Sequence, residues 1–187
     1  GFATLHGHEG VVELLIKERA NIDKPINNGG TALVIGSEHG NEGVVELLLK
    51  AGASVVPHKS DKQKGSALWF ASQNGHTKVV EVLLRPEHHV QVNHATADGS
   101  TALLTASYNG HQGVVKVLLR EGAIIDQADP RGDTALMLAS SSGDECIATL
   151  LLENGADVNK ASHDGITALL CASMECHTCI ATLLLEN

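Results

Sequence analysis

The sequence repeats itself in steps of 33 to 35 residues. Thr-Ala-Leu or Ser-Ala-Leu begins at Thr31, Ser66, Thr101, Thr134 and Thr167, at spacings of 35, 35, 33 and 33. A second signature follows each opening in phase: Val44-Val45-Glu46-Leu47-Leu48, Val79-Val80-Glu81-Val82-Leu83, Val114-Val115-Lys116-Val117-Leu118, Ile147-Ala148-Thr149-Leu150-Leu151 and Ile180-Ala181-Thr182-Leu183-Leu184. A sixth copy opens the chain at Val11-Val12-Glu13-Leu14-Leu15, where Phe2-Ala3 matches Phe70-Ala71. Units this short cannot bury an apolar face alone, so a period of this length confines the chain to architectures in which like units stack.

Each unit reads as two short helices. A hydroxyl at Thr31, Ser66, Thr101, Thr134 or Thr167 can accept from the free N–H groups of a first helical turn. A helix of about two turns follows and ends before Gly7, Gly40, Gly75, Gly110 or Gly143. The next residue is His8, Asn41, His76, His111, Asp144 or His177, and the Asn and Asp there suggest a side-chain acceptor for the second helix. Gly52, Gly122 and Gly155 stand where a C-terminal glycine closes a helix. Asn28-Gly29, Asp98-Gly99, Arg131-Gly132 and Asp164-Gly165 mark turns between units. The extra residues of the two longer steps fall in connecting loops, between Lys50 and Gly65 and between Arg85 and Ser100. The expected units are 1–25, 26–60, 61–95, 96–128, 129–161 and 162–187, in one array.

Composition narrows the function classes. Apolar residues make up 43% and aromatics 2%, so the core is aliphatic and layered rather than wide. The net charge of −9 argues against a nucleic-acid partner, which needs a basic face. No apolar run reaches the ~20 residues of a membrane span. The first residues carry no secretory signal pattern and no initiator Met, so the chain is expected to be an excerpt of a longer protein.

The whole pattern resembles the ankyrin repeat: a 33-residue unit with a Thr-Pro-Leu-His-like opening, Gly-His before Val-Val-x-x-Leu-Leu, and a closing Gly-Ala-Asp-Val-Asn, reproduced at Gly155-Ala156-Asp157-Val158-Asn159. The resemblance implies an all-α solenoid of stacked helix-turn-helix pairs with hairpin-like turns. Two departures stand out. Ala replaces Pro after every capping residue, and the opening His is Val34, Trp69, Leu104, Met137 or Leu170. The resemblance also implies a non-catalytic scaffold that binds another protein through turn tips and first helices. The helix positions are Glu38, His39, Gln73, Asn74, Tyr108, Asn109, Ser141, Ser142, Met174 and Glu175. The tips include Asn27, Asn28, Lys62, Gln63, Ala97, Asp98, Pro130, Arg131, Asp133, His163 and Asp164. Tyr108 and Arg131 are the strongest anchor candidates, since Tyr and Arg are enriched among hot spots. Asn159 resembles a position that some cytosolic oxygenases hydroxylate, against an ordinary role in turn hydrogen bonding.

Two alternatives have their own sequence features. The chain could be the recruiting module of a larger enzyme or channel, or an array binding a small anionic ligand, which the charge and the scarcity of aromatics disfavour. Cys176-His177-Thr178-Cys179, with Cys171 nearby, has half the spacing of a zinc or redox motif. Its bland reading comes from the repeat: Cys179 and Cys146 stand where Gly43 and Gly113 do, a place expected to need a small residue, and Cys171 matches Leu138. Free thiols and an intracellular, cytoplasmic location are expected. Glu87-His88-His89 with His94 lacks regular ligand spacing, and the reading expects no metal, no cofactor and no obligate oligomer. Residues 121–187 hold eleven of the 22 acidic side chains but only Arg131 and Lys160 of the 13 basic ones, which suits a partner with a basic segment docking at the C-terminal repeats. Because stacked units hold only their neighbours, Thr31 to Asn154 should be best protected in hydrogen exchange, with both ends fraying; uniform protection from end to end would contradict the stacking argument.

Overall fold

The computed structural model describes residues 2–26, 29–56 and 65–187. The turn residues Asn27 and Asn28 and the loop candidates Lys62 and Gln63 lie outside them. The described residues form twelve α-helices, and no strand beyond an isolated bridge between Ala161 and Thr167. First helices are α1 (Phe2–Leu5), α3 (Ala32–Glu38), α5 (Ala67–Gln73), α7 (Ala102–Tyr108), α9 (Ala135–Ser142) and α11 (Ala168–Met174). Second helices are α2 (Glu9–Lys17), α4 (Glu42–Lys50), α6 (Thr77–Leu83), α8 (Gln112–Arg120), α10 (Glu145–Glu153) and α12 (Thr178–Leu185). They gather into two compact units, Gly1–Gln91 with α1–α6 and Val92–Asn187 with α7–α12. In each unit first helices stack on first helices and second on second.

The hydroxyl caps behave as the repeat predicts. Thr31, Ser66, Thr101, Thr134 and Thr167 each accept the N–H three residues on, at 3.2–3.4 Å. Each such cap contributes about 1 kcal/mol, a large share for a helix of two turns. The apolar second signature is the core. Val44, Val45, Leu48, Val79, Val80 and Leu83 are buried in the first unit, and Val114, Val115, Leu118, Ile147, Leu151 and Ile180 in the second. Full burial of one such side chain is worth about 1.5–3 kcal/mol. A column of fully buried alanines, Ala71 in the first unit and Ala106, Ala139 and Ala172 in the second, lets the paired helices approach closely. Beside it Ser37, Ser72, Ser107 and Ser140 are buried with no partner for the hydroxyl, while the exposed Ser173 donates to the Leu169 carbonyl at 2.7 Å. Nothing in the packing uses those four hydroxyls.

The residue before each second helix departs from the acceptor reading. Only Asp144 caps its helix, accepting from Ile147 N–H at 2.9 Å. Asn41 instead donates its amide back to the carbonyls of Thr4 and Leu5 in the preceding repeat. His76 Nε2 lies 3.0 Å from the Glu38 carbonyl and His177 Nε2 3.2 Å from the Ser141 carbonyl, contacts that need a protonated Nε2. The reason is the orphan carbonyls at the ends of α1, α3 and α9, which the next repeat satisfies. Neighbouring repeats are tied a second time on the loop side. Asp23 accepts from Ser54 N–H, Asn93 from Ile124 N–H and Asp126 from Asp157 N–H, each pair 31 residues apart. Asn159 occupies the same register, exposed and without such a partner among the described residues; its backbone N–H donates to Asp157.

The place shared by Gly43, Gly113, Cys146 and Cys179 is crowded at Gly43, where a Cβ would meet the carboxylate end of the Glu9 side chain, but not in every copy. Cys146 and Cys179 are exposed, and at Gly10, the same register, a Cβ would meet nothing within 4 Å. The extra residues after Arg85 form a 3₁₀ turn at Pro86–His88. Between second helices of the first unit, Arg85 donates to Glu46 at 2.9 Å and, as the main influence, holds the Glu46 carboxyl below its ordinary value.

Gly40 shows why the Gly-His pair travels together. Its φ is +71°, and a Cβ there would sit 2.6 Å from His76 Nδ1. Gly52 has a similar φ of +83° with nothing within 4 Å. Gly52→Ala should therefore cost about 1 kcal/mol for the left-handed backbone alone, and Gly40→Ala at least about 1 kcal/mol more for the displaced ring. Equal losses in denaturant melts would show that His76 yields without cost.

Candidate interaction surface

The turns between repeats share one construction. Ile26, Thr96, Asp129 and Ser162 each receive a backbone N–H from the glycine three residues on, at 2.8–2.9 Å, and donate to the carbonyl four residues on, at 2.8–3.1 Å. In the second unit the side chains of Thr96, Asp129 and Ser162 also accept the N–H four residues later, at 2.9–3.2 Å. Successive tips touch through backbone: His163 N–H donates to the Arg131 carbonyl at 2.9 Å, and a Cβ on Gly132 would lie 2.9 Å from Ser162 Cα. The tips thus form a stiff edge along the first helices α7, α9 and α11.

Between that edge and those helices runs a groove of about 690 Å³. Leu104, Thr105 and Tyr108 of α7, Met137, Leu138 and Ser141 of α9, and Cys171 of α11 line it; Asp98, Pro130, Arg131 and Asp133 come from the tips, with Asp129 beneath them. Arg131 binds Asp129 at 3.2 Å and Asp133 at 3.0 Å. Partial burial opposes the Asp129 charge, but the N–H groups of Asp133 and Arg131 and the Arg131 guanidinium outweigh it, and its carboxyl is held below the ordinary range. Cys171 is half-buried; that burial, and secondarily the Asp133 charge, push its thiol up. A second, more open groove of about 470 Å³ is bounded by Tyr108, Asn109, Ser142, Asp144, Glu145 and Cys146.

The structure sorts the sequence candidates. Tyr108, Arg131, Asp133 and Ser141 meet in the first groove; Tyr108, Asn109 and Ser142 meet in the second. His163, Asp164, Met174 and Glu175 are exposed outside both, Met174 at 69%. In the other unit, Glu38 is half-buried, and its carbonyl receives both Asn74 and His76. His39 Nδ1 contacts the Ile35 carbonyl, and Gln73 is half-buried beside them. Asn109 and Ser142 also bond within their own helices. Tyr108 is 59% exposed, on the wall of both grooves. Leu104, Thr105, Leu138 and Cys171 were not anticipated. They precede the named positions by three or four residues on the same helices, so helical spacing applied to those pairs would have found them.

Among the described residues no three His, Cys, Asp or Glu side chains converge as a metal site, and no helix is long and apolar enough to cross a membrane. The family model described as ankyrin repeats, in three copies, matches residues 2–59, 56–129 and 122–187. This chain belongs to the ankyrin repeat family. The crystal structure of an ankyrin repeat domain from Acinetobacter baumannii AYE is similar to it, with a TM-score of 0.87 and 28% identity over 99% of this chain and 95% of that one. No curated protein matches the sequence. The fold class is the all-α ankyrin-repeat solenoid. Ankyrin repeats are in general protein–protein interaction modules and typically non-catalytic.

All four cysteines are free, and only Cys171 is partly covered. Iodoacetamide at pH 8 should modify Cys146, Cys176 and Cys179 first and Cys171 roughly five-fold more slowly or less, because a raised thiol pKa lowers the thiolate fraction. Peptide mass spectrometry over time reads this directly, and equal rates would show that the groove floor is open at Cys171.

Proposed function

We propose that this ankyrin chain is a non-catalytic scaffold that binds a partner protein through tips and first helices, with the groove of the Val92–Asn187 unit as its principal docking site. One observation carries the reading: in that groove an exposed aromatic, apolar helix residues and charged tip residues converge on a rigid backbone frame. Aromatic anchors beside polar rims are what interfaces use. The groove volume lies within the range of sites that seat a ligand or a peptide side chain group. The excess acidity of residues 121–187 supports a partner with a basic segment, since complementary charge speeds encounter and fixes orientation. Free cysteines support a reducing, intracellular setting.

Pull-down with this chain, followed by mass spectrometry, identifies the partner, and variants then locate the site. Tyr108→Ala and Ser141→Arg should each weaken binding by roughly ten-fold or more, while Asn74→Ala in the other unit changes it little. The association rate should fall as salt rises from about 50 to 500 mM, as screening shortens the field. A partner that ignores both groove variants would move the docking site elsewhere on the chain, and a salt-independent rate would remove charge steering while leaving the scaffold role.

A further inference from the structure

The groove already holds a cation of its own. Arg131 rises from the tip with its side chain 74% exposed, Nε 3.2 Å from Asp129 and Nη2 3.0 Å from Asp133. The two carboxylates are not equivalent. Asp129 also accepts the backbone N–H groups of Arg131 and Asp133 at 2.8 and 2.9 Å, so it is committed to shaping the turn. For the Asp133 carboxylate, Arg131 is the donor among the described residues. Beside this pair the groove presents the half-buried Leu138 and the exposed ring of Tyr108. Three carboxylates, those of Asp98, Asp129 and Asp133, line the groove against one guanidinium, and residues 121–187, which include the latter two, hold 11 acids against two bases.

We propose that Arg131 is a built-in competitor, and that the groove takes an extended protein segment in which an Arg or Lys stands beside an apolar side chain. This rests on the reading of the groove as a docking site. The guest cation takes Asp133 from Arg131, and its apolar neighbour lies against Leu138 and Tyr108. The exchange is easy in one direction. The Arg131 side of the pair is open to solvent, at 74% against 23% for Asp133, and an ion pair that water reaches is weak and screened, so freeing Asp133 costs little. The same carboxylate covered by a bound segment sits in a lower dielectric and holds a guest cation more firmly. Arg131 thereby acts as a filter. A purely apolar segment gains only the floor, and an acidic one meets the net negative charge of the groove. Released, the Arg131 side chain remains tethered at the rim, where it shortens the residence of weakly held guests.

The test uses a phage-displayed library of random dodecapeptides panned over the intact chain, with binders then measured by fluorescence polarisation. Enriched peptides should carry Arg or Lys next to an apolar residue. Arg131→Ala and Arg131→Gln should tighten them by about three- to five-fold, the reverse of what loss of an anchor does. Asp133→Asn should weaken them at least about five-fold, and Asp164→Asn, the same charge change at an exposed tip outside the groove, by less than about two-fold. Enrichment of acidic peptides, or weaker binding by both Arg131 variants, would make Arg131 an anchor and overturn the proposal while Tyr108→Ala still marks the groove as the docking site. Equal losses for Asp133→Asn and Asp164→Asn would also overturn it, leaving only a general field. Selected peptides that ignore Tyr108→Ala, or no enrichment at all, would remove both the competitor and the groove.

Discussion

A helix of two turns does not hold itself in water. Its nucleus is costly, and seven residues give too few internal hydrogen bonds to repay it. Every first helix of this chain is that short, so each depends on what covers its ends and its apolar face. The Thr or Ser cap closes one end. The other end is closed from the neighbouring repeat, by Asn41 on the carbonyls of Thr4 and Leu5, by His76 on Glu38 and by His177 on Ser141. The repeats of α1, α3 and α9 are therefore each completed by the one that follows. At Gly40 and Gly143 the glycine follows from the same contact, because the incoming ring occupies the space a side chain would need.

That dependence fixes register, and register builds the surface. The 31-residue bridges from Asp23, Asn93 and Asp126 set the distance between successive loops within each unit. The identical hydrogen-bond pattern in each described turn sets the direction of the tip. Side chains at equal positions in adjacent repeats are then carried to equal places, and any that differ appear as a varied row on a constant frame. Tyr108, Ser141 and Met174 are such a row in the second unit, followed one residue later by Asn109, Ser142 and Glu175. Variation there leaves the Leu, Val and Ala columns underneath untouched.

Most of the fold was legible because its signals recur in phase. One Thr-Ala-Leu is weak evidence; five at a fixed step, each followed by the same apolar motif, leave little freedom. The interlocks were less legible. Asn41 and Asp144 look alike as helix-start residues, yet one donates backwards and the other caps forwards, since an amide carries N–H donors and a carboxylate only accepts. The groove was half legible. Tyr108, Arg131, Asp133 and Ser141 come from marking residues beside glycines and turns, whereas Leu104, Leu138 and Cys171 lie a helical turn earlier, inside what reads as core. The place of Arg131 was legible from its turn and residue type, but its two ion pairs are visible only once the turn is closed.

The acidic end of the sequence separates in the same way once each carboxylate is followed to its partners. Asp144 caps α10, Asp157 accepts the Asn159 N–H, Asp126 accepts the Asp157 N–H, and Asp129 is filled by the N–H groups of its own turn. These four charges are local structure, each placed against backbone donors that offset the repulsion expected where acids gather. Asp133, Asp164 and Glu175 have no such backbone duty among the described residues. Asp133 is held by Arg131 alone, Asp164 stands exposed on a tip, and Glu175 is exposed at the end of α11, close enough to bear on the Cys171 thiol. A net charge of −9 overstates what a partner would meet, because much of the acidity is already engaged inward. The carboxylates that remain open to a partner include Glu145 and Glu153 of α10, Asp164 on a tip, Glu175 at the end of α11 and the half-buried Asp133 in the groove. Of these, Asp133 is the one that both lines the groove and is paired by a side chain able to let go.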